Sequence, residues 1–412
     1  MSEQLSRYPA VAEIDLQALA HNVQKMREFA PNSRHMGIIK ADSYGHGRAL
    51  FAVQLAKLGY DIVGIAQLAE ALEARKELDA AGFQNVAVFS WILPPVGEDT
   101  LRDALQTGIE LSVSTPAQIE AITSAYASLT QAQQAASSRA AARIHLKVDT
   151  GMGRAGATPE EFPALVDAAI QAQKSGIQIV GVWSHLARAD EAGEDGNAAT
   201  MRQLEIFKTA AKLAKDRGLE GFQLHLAASS GQIWHPNTHF DMVRDGIAMY
   251  GLSPDPANTA TLDLGLQPVM TLKAQLTSVK KVKAGQTVSY GGTWIAQRDT
   301  WLALVPLGYG DGIPRHASNA GPVHVQTRQG TVRTHVVGRV CMDQFVIDLG
   351  PANKAPANPG DWAILFGNPQ RLSTAGCPTA DDWAKASGTI NYEIVTRLGA
   401  RVPRIIFEGE PR

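Results

Sequence analysis

Cysteine is scarce in this chain of 412 residues: only Cys341 and Cys377 occur, too few for a disulfide framework or a cysteine-based zinc cluster. No stretch reaches the roughly 18 apolar residues that a membrane-spanning helix needs. The segment from Met1 to Glu13 contains no apolar core of the kind that a signal peptide requires. These absences predict reduced thiols, no membrane partner and a cytoplasmic location.

Neither sign of charge dominates, because 38 lysines and arginines face 40 aspartates and glutamates, for a formal net charge of −2. The sequence has no basic run, and no interleaving of basic and aromatic residues, that would follow a phosphate backbone. Nucleic acid is therefore not an expected partner. The histidines lack the paired spacing with carboxylates that is typical of metal sites, so no metal is predicted.

Short β-branched runs alternate with helix-period segments from about residue 35 to residue 250, and eight such runs are present. Eight strands separated by helices indicate a (β/α)₈ barrel of the TIM type, over residues 12–252, rather than an open sheet. A doubly wound sheet with displaced boundaries is the alternative. The predicted strands are His35 to Ala41, Asp61 to Ala66, Val86 to Ser90, Ile109 to Val113, Arg143 to Asp149, Ile177 to Ser184, Gly221 to Ala227 and Met242 to Ile247.

The pattern changes after Gly251, where Pro254 and Pro256 indicate a linker and few helical segments follow. The length of the chain also favours two domains, since 412 residues exceed what one hydrophobic core usually supports. We therefore predict a mainly β domain over residues 253–412, joined by residues 1–11. Its predicted strands are Met270 to Val279, Trp301 to Pro306, Val323 to Thr327, Val332 to Val340 and Trp362 to Phe366.

Two segments have the composition of surface insertions. Residues 125–142 are rich in Ala, Gln and Ser and are predicted to be helical. Residues 368–382 contain a Gly-Cys-Pro-Thr turn and are predicted to form a loop.

Lys40 lies in the segment IIKADSYGHG, where a short apolar run ends in an amine and is followed by a glycine-rich turn. An amine in an apolar surround loses solvation of its charged form, so its pKa falls and it can act as a Schiff-base nucleophile or a general base. Tyr44 and the two glycines after it could bind a phosphate. A solvated charge at the end of a strand is the alternative reading of this segment.

Polar residues also follow the other predicted barrel strands. In barrel enzymes the carboxyl ends of the strands carry the chemistry, and phosphate sites commonly use the loops after strands 7 and 8. Ser229, Gly246 and Ile247 fit that place. The remaining strand-end residues are Lys147, Asp149, Arg154, His185 and Arg244.

Taken together, the motifs of this chain resemble those of the alanine racemase family, which belongs to the fold type III class of pyridoxal phosphate enzymes. The resemblance extends over nearly the whole length, in both predicted domains and in the same order. It is carried by the Lys40 segment and by KVDTGMGRAG from Lys147, GVWSHLARAD from Gly181, MVRDGIAMYG from Met242, VSYG from Val288, LGYGDG from Leu307, GRVCMD from Gly338, Asn391 to Glu393 and RVPR from Arg401.

The resemblance implies a racemase with one proton-transferring group on each face of the substrate Cα. Lys40 matches the lysine that holds pyridoxal 5′-phosphate, and Tyr290 matches the acid or base on the opposite face. A tyrosine with an ordinary pKa near 10 is ionised about one part in a thousand at neutral pH, which costs roughly 4 kcal/mol unless its neighbours help. His185 and Arg244 match the network that would supply this help.

The family pattern also assigns the ligand contacts. Residues that match the phosphate contacts are Tyr44, Ser229, Gly246, Ile247 and Tyr392. Arg154 and Met342 match substrate-side residues, and Tyr309 matches a residue at the entrance. Because Tyr290, Tyr309 and Met342 would crowd the space for the substrate side chain, the pattern favours the methyl group of alanine.

Arg244 would face the cofactor ring nitrogen, where many related enzymes place a carboxylate. A guanidinium cannot accept the ring proton, so the ring nitrogen stays neutral and carbanion character remains near Cα, which favours racemisation. An ion pair between Arg244 and the adjacent Asp245 is the alternative.

Lys147 matches a position that is often carbamylated, and an unmodified salt bridge to Asp149 or Asp343 is its alternative.

Tyr290 and Met342 lie in the second predicted domain, whereas Lys40 lies in the first. The family brings them together in a homodimer with composite sites, which we expect here.

The alternative functions are a broader racemase acting on serine or lysine, a decarboxylase of the same two-domain plan, and a non-catalytic pyridoxal phosphate carrier. Arg244 argues against the decarboxylase, and the second domain argues against the carrier.

Overall fold

The computed structural model describes residues 8–129, 142–372 and 376–407. Strand β1 (Ala10–Ile14) precedes a closed barrel of eight parallel strands, β2 to β9, in which β9 pairs with β2. The strands are β2 (Arg34–Ile38), β3 (Ile62–Gln67), β4 (Ala87–Ile92), β5 (Ile109–Val113), β6 (Arg143–Lys147), β7 (Gln178–Trp183), β8 (Gln223–His225) and β9 (Met242–Asp245). The predicted (β/α)₈ barrel is confirmed, and the doubly wound sheet is wrong.

Helices follow the barrel strands and cover them with apolar faces. The helix Leu16–Phe29, which precedes the first barrel strand, is built in the same way: it buries Ala18, Leu19, Val23 and Met26, which recur at helical spacing, and the Asp15 side chain caps its first turn. The other helices of this part are Arg48–Lys57, Leu68–Ala80, Glu98–Gln106, Pro116–Ala127, Phe162–Gln173, Glu194–Asp216 and Ser229–Trp234, with 3₁₀ turns at Pro236–Thr238, Ile247–Tyr250 and Thr261–Leu264. Within the described ranges no helix combines the length and the apolar character needed to cross a bilayer.

The C-terminal part is a nine-stranded sheet with a separate two-stranded ribbon. The N-terminal strand β1 lies in this sheet, where it pairs antiparallel with β10 and parallel with β19. The strands are β10 (Met270–Gln275), β11 (Ser278–Val282), β12 (Thr287–Val288), β13 (Trp294–Ile295), β14 (Thr300–Val305), β15 (Pro322–Thr327), β16 (Gly330–Val337), β17 (Phe345–Gly350), β18 (Trp362–Phe366) and β19 (Arg404–Ile406). The sheet order is β11-β14-β17-β16-β15-β18-β10-β1-β19.

The C-terminal sheet confirms the mainly β character predicted for this part of the chain. Its helices are Ala380–Ser387 and Asn391–Thr396, and its 3₁₀ turns are Tyr290–Gly292, Tyr309–Asp311 and Arg315–Ala317. The single strand predicted from Met270 to Val279 is two strands, because β10 pairs with β1 and β18 whereas β11 pairs with β14.

The two predicted insertions differ in what can be described. Most of the first, residues 130–141, lies outside the described residues. The second is only partly a loop, because the helix Ala380–Ser387 begins inside it. Thr379 and Asp382 form a capping box at this helix start, a signal that the loop prediction overlooked.

The junction between the two parts lies beside the turn that follows Lys40. The helix Asn391–Thr396 packs so closely that a Cβ on Gly45 would overlap the carbonyl oxygen of Val395. Arg404 Nε donates a hydrogen bond of 2.8 Å to the carbonyl oxygen of Gly45. The C-terminal part therefore holds the barrel turn from outside.

Candidate active site

The turn after β2 positions Lys40 at the carboxyl end of the barrel. Ala41, Asp42, Ser43 and Tyr44 all have φ of 52° or 53°, which makes one left-handed helical turn. This conformation costs residues other than glycine roughly 1–2 kcal/mol each, so the surroundings must hold it in place. The Glu70 carboxylate does so by accepting the backbone N–H of Asp42 at 2.7 Å and of Ala41 at 3.2 Å.

Lys40 lies in an aromatic and cationic environment. Its Nζ is 5.7 Å from the ring centroid of Tyr44 and 5.8 Å from that of Trp91. Burial lowers the pKa of Lys40, and the positive charges of Arg154 and Arg244 lower it further. The amine is therefore more readily neutral than that of an exposed lysine, as a nucleophile or base requires.

Three predicted phosphate contacts meet in one corner of the barrel mouth. Ser229 Oγ accepts the backbone N–H of Gly246 at 3.2 Å and that of Ala248 at 3.3 Å. A Cβ on Gly246 would lie 3.1 Å from Tyr44 Oη and 3.3 Å from Ser229 Oγ, so a glycine leaves open the space between these two hydroxyls.

The other two predicted phosphate contacts border the same corner. Ile247 follows Gly246 and begins the 3₁₀ turn Ile247–Tyr250. Tyr392 arrives from the C-terminal part, and its ring centroid is 6.2 Å from that of Tyr44. The structure thus brings all five residues of the predicted phosphate site together.

Arg244 points into the barrel and does not pair with Asp245. Its Nη2 donates to His185 Nδ1 at 3.0 Å, and its Nη1 donates to His225 Nδ1 at 3.2 Å. Burial lowers the pKa of Arg244 to about 9, which leaves the guanidinium cationic at neutral pH. Because successive side chains of a strand point to opposite faces, Asp245 lies on the outer face, where it accepts hydrogen bonds from Tyr60, His35 and Gln232. The alternative ion pair is wrong.

His185 completes the contact between Arg244 and the barrel mouth. A guanidinium can only donate, so Nδ1 of His185 is the acceptor and a neutral ring carries its proton on Nε2. Burial holds the pKa of His185 well below its usual value, with Arg244 and Arg154 adding to the effect. His185 is therefore a neutral hydrogen-bond donor through Nε2.

Lys147 is buried over an aromatic ring rather than paired with a carboxylate. Its Nζ lies 4.3 Å from the centroid of Trp183. Within the described part of one chain Lys147 forms no salt bridge, so the predicted pair with Asp149 is wrong: Asp149 instead accepts the backbone N–H groups of Gly151, Met152 and Gly153. Asp343 pairs with Arg401 in its own chain, and a salt bridge from Lys147 to Asp343 of a second subunit stays a prediction. Burial, followed by the charges of Arg154 and Arg244, lowers the pKa of Lys147 to about 8.

The remaining predicted site residues form a separate surface, which we term the β-domain ledge: Tyr290, Tyr309 and Met342. Their exposures of 72%, 43% and 54% are high for large hydrophobic side chains. Backbone bonds join Tyr309 N to Cys341 O at 2.9 Å and Gly310 N to Met342 O at 2.8 Å, and Ser289 Oγ donates to Arg339 O at 2.6 Å. Within the described part of a single chain, no hydrogen bond joins Tyr290 to the barrel mouth.

Two residues of the site are not among those predicted from the sequence. Both Lys147 and Arg244 lie over the ring of Trp183. His225 Nδ1 accepts a hydrogen bond from Arg244. The signal that could have found such residues is alternation along neighbouring barrel strands, with Glu110 and Ser112 on β5 and His145 and Lys147 on β6.

The barrel mouth carries positive charge that favours the binding of anions. Lys40, Lys147, Arg154 and Arg244 place four cationic groups there, and among the described residues none forms a salt bridge with a carboxylate. A phosphate and a carboxylate would balance this charge, and the glycine-lined corner leaves space for the phosphate. A barrel with a strand-end lysine, a phosphate corner and an attached β domain defines the class of barrel-type pyridoxal phosphate enzymes.

Comparison with known proteins identifies the family within this class. Residues 14–254 match the alanine racemase N-terminal domain, and residues 269–406 match the alanine racemase C-terminal domain. The alanine racemase of Beutenbergia cavernae is 47% identical over 403 residues, which cover 98% of this chain and 99% of that protein. The chain belongs to the alanine racemase family, whose members are pyridoxal phosphate-dependent isomerases that act on alanine.

Solved structures give the same assignment. The alanine racemase of Streptomyces coelicolor superposes with a TM-score of 0.87 at 43% identity, covering 97% of this chain and 98% of that chain. The alanine racemase of Bartonella henselae, solved with covalently bound pyridoxal phosphate, superposes with a TM-score of 0.79 at 27% identity, covering 97% and 99%.

Proposed function

We propose that two copies of this chain form a homodimer that interconverts L-alanine and D-alanine at two composite sites. Each site takes Lys40 from the barrel of one subunit and Tyr290 from the β-domain ledge of the other. The observation that carries this proposal is the separation of the two halves: the barrel mouth has a partly buried lysine whose pKa is lowered, whereas Tyr290 is 72% exposed on the other domain. Large exposed apolar groups at one place are typical of an interaction surface.

The barrel mouth would hold pyridoxal 5′-phosphate. Lys40 would bind it through its amine, Arg244 would face the ring nitrogen, and the phosphate would lie in the corner formed by Tyr44, Ser229, Gly246, Ile247 and Tyr392. When bound, this cofactor supplies the electron sink that makes the Cα proton of an amino acid removable. The cationic surroundings support this placement, since none of the four basic groups forms a salt bridge with a carboxylate among the described residues.

Two groups of the protein would then move the proton at Cα. Lys40 acts on one face, where burial has already lowered the pKa of its amine. Tyr290 acts on the other face. His185, neutral and carrying its proton on Nε2, is available to donate a hydrogen bond to the Tyr290 oxygen and so to stabilise a phenolate.

The same groups determine the substrate. Arg154 offers a guanidinium to the substrate carboxylate or to the cofactor phenolate. The ledge residues Tyr290, Tyr309 and Met342 restrict the space beside Cα and favour a methyl group. A pocket of this kind separates substrates that differ by one methylene by only about 1–3 kcal/mol, so larger amino acids should react slowly rather than not at all.

The wider role follows from the family, in which D-alanine supplies peptidoglycan synthesis. The domain boundaries of 12–252 and 253–412 and the cytoplasmic location stay predictions.

A mixed-dimer experiment tests the composite site. Lys40→Ala and Tyr290→Phe chains, each inactive alone, are unfolded together and refolded with pyridoxal phosphate, and D-alanine is followed by chiral chromatography. Random pairing makes half of the dimers mixed, and each mixed dimer has one site with both native residues. We expect about a quarter of the wild-type activity. A site completed within one chain would yield no recovery.

Substrate range is tested in parallel with wild-type protein on L-alanine, L-serine and L-lysine. Rapid racemisation of alanine with little product from the other two is expected. Equal rates on all three would contradict the crowded pocket and favour the broad-range racemase.

A further inference from the structure

A row of buried polar side chains crosses the inside of the barrel beneath the site. Glu110 Oε2 lies 2.9 Å from His145 Nε2, His145 Nδ1 lies 3.0 Å from His225 Nε2, and His225 Nδ1 lies 3.2 Å from Arg244 Nη1. We call Glu110, His145, His225 and Arg244 the barrel network. All four are at most 4% exposed.

The chemistry at the two ends of this network determines where each proton lies. Arg244 can only donate, so His225 Nδ1 is an acceptor and the ring proton of a neutral His225 is on Nε2. His225 Nε2–H then donates to His145 Nδ1, which must be unprotonated. His145 therefore carries its proton on Nε2 and donates it to the Glu110 carboxylate.

The network is electrostatically supported at the carboxylate end. Burial opposes the charge on Glu110, but hydrogen bonds and charges from His145 and Arg143 outweigh it and lower the pKa of the carboxyl to about 2. Burial also holds the pKa of His225 well below its usual value, with His145 and Arg244 adding to the effect, so its ring is neutral. A negative and a positive end are thus connected through two imidazoles.

We propose that Glu110 and His145 are positioning residues for the racemase reaction: they fix the tautomer of His225 so that its Nδ1 accepts from Arg244 and holds the guanidinium toward the cofactor ring nitrogen. The Glu110 carboxylate thereby acts on Arg244 from a distance. A carboxylate in direct contact with Arg244 would occupy the guanidinium N–H groups that His185 and the cofactor need. This inference rests on the proposed function, because it gives Arg244 a role at the cofactor.

Removing the charge at Glu110 should reverse the direction of hydrogen-bond donation along the barrel network. In the wild-type protein, Arg143 Nε donates to Glu110 at 2.7 Å. In Glu110→Gln, the amide oxygen would accept this hydrogen bond, and the amide NH₂ group would therefore face His145 Nε2. His145 would then donate through Nδ1 to His225 Nε2. The proton of His225 would move to Nδ1, where it opposes the N–H of Arg244.

The test measures tautomers and kinetics together. Protein with ¹⁵N-labelled histidine is examined by NMR with and without pyridoxal phosphate, because ring-nitrogen shifts separate protonated from unprotonated nitrogens. For Glu110→Gln we expect the His225 tautomer to change, and kcat for alanine to fall by about ten- to a hundredfold with KM nearly unchanged, as expected for a displaced reacting geometry.

Arg143→Gln is the matched control, because it removes an ion-pair partner of Glu110 and leaves the His145 contact intact. It should lower stability without changing the His225 tautomer or the kcat. If the two variants lose kcat equally, or if Glu110→Gln keeps the wild-type tautomer, Glu110 is only a structural ion-pair partner and the proposal is wrong.

His145 provides a second comparison in case Glu110→Gln does not fold. His145→Gln retains one donor and one acceptor and should keep most of the kcat, whereas His145→Leu removes both and should lose it. Equal kcat in these two variants contradicts the proposal. The tautomer measurement needs no turnover, so it decides the network even if wild-type protein fails to racemise alanine, which would contradict the proposed function itself.

Discussion

At the scale of single residues, the environment lowers the pKa of two lysines and leaves the Arg244 guanidinium charged. Burial and two nearby guanidinium groups lower the pKa of Lys40, and the same causes act on Lys147. Arg244 remains cationic despite burial, because three carbonyl or imidazole acceptors surround its Nη2. Amines that lose their proton more readily, beside a guanidinium that stays charged, suit the proton transfer proposed for Lys40.

Tyr290→Phe removes the hydroxyl that would act on one face of Cα and keeps the ring. Positioned acid–base groups contribute about 10²- to 10⁴-fold, so we expect racemisation in both directions to slow by that factor. Exchange of the Cα proton with deuterated solvent should persist for only one enantiomer, because Lys40 still acts on its own face. Mass spectrometry of both enantiomers checks this. Persistent exchange of both would show that another residue is the second base.

Lys147 is expected to be carbamylated, since a pKa of about 8 makes its amine substantially neutral near that pH. The added carboxylate would supply the negative charge that the contacts of Lys147 lack. We expect protein freed of CO₂ at pH 8 to lose activity several-fold and to regain it with bicarbonate. A Lys147→Met variant, which cannot react with CO₂, should show no response. Equal wild-type activity under both conditions would argue for an unmodified lysine.

At the scale of elements, the two faces of β9 have different tasks. Its inner face carries Arg244 into the barrel, and its outer face carries Asp245 into a buried cluster with His35 and Tyr60. Burial opposes a charge on His35, but the hydrogen bond and charge of Asp245 outweigh it and raise the pKa of His35. The outer cluster thus ties β9 to β2 where the barrel closes.

This cluster makes stability depend on pH in a defined direction. Because the folded state raises the pKa of His35, its contribution to stability is complete below the ordinary histidine pKa of about 6.5 and is lost as the pH rises through the higher folded-state value. The free energy of unfolding of wild type minus that of His35→Gln should therefore decrease from pH 6 to pH 9. Urea denaturation at constant pyridoxal phosphate measures it.

A His35→Gln difference that stays constant between pH 6 and pH 9 would mean that His35 does not titrate against Asp245.

At the scale of the whole molecule, a single chain carries two groups of predicted site residues, one at the barrel mouth and one on the exposed β-domain ledge. The barrel half includes Tyr392 from the C-terminal part, whereas the ledge half remains exposed. The left-handed turn after Lys40 is held by the same C-terminal part. In the proposed homodimer, one subunit would supply the cofactor site and the other would place Tyr290 beside it.

Activity should accordingly belong to the dimer. We expect sedimentation to show a species of twice the chain mass of 44.1 kDa, and the specific activity to fall on dilution in parallel with that species. A chemically crosslinked dimer should keep its activity at the same dilution. A fully active monomer would contradict the composite site.

Much of this arrangement follows from the sequence alone. Alternating strand and helix patterns predicted the barrel, and the strand-end positions of Lys40, Ser229 and Arg244 predicted one shared site, because parallel strands carry their carboxyl ends to one edge. Arg244 and Asp245 are neighbours in one strand, so period-two alternation already gave them opposite directions, which the alternative ion pair did not take into account.

Other features were decided only by the tertiary structure. The contacts of Lys147 with Trp183 and of Glu110 with His145 join residues on different strands, and local patterns do not contain such distances. The placement of β1 in the C-terminal sheet likewise depends on a partner about 260 residues away. The sequence determined which residues face inward and which strand ends carry reactive side chains, because side-chain periodicity is local. Only the tertiary structure decided which inward-facing groups are in contact, because barrel closure sets the distances between strands.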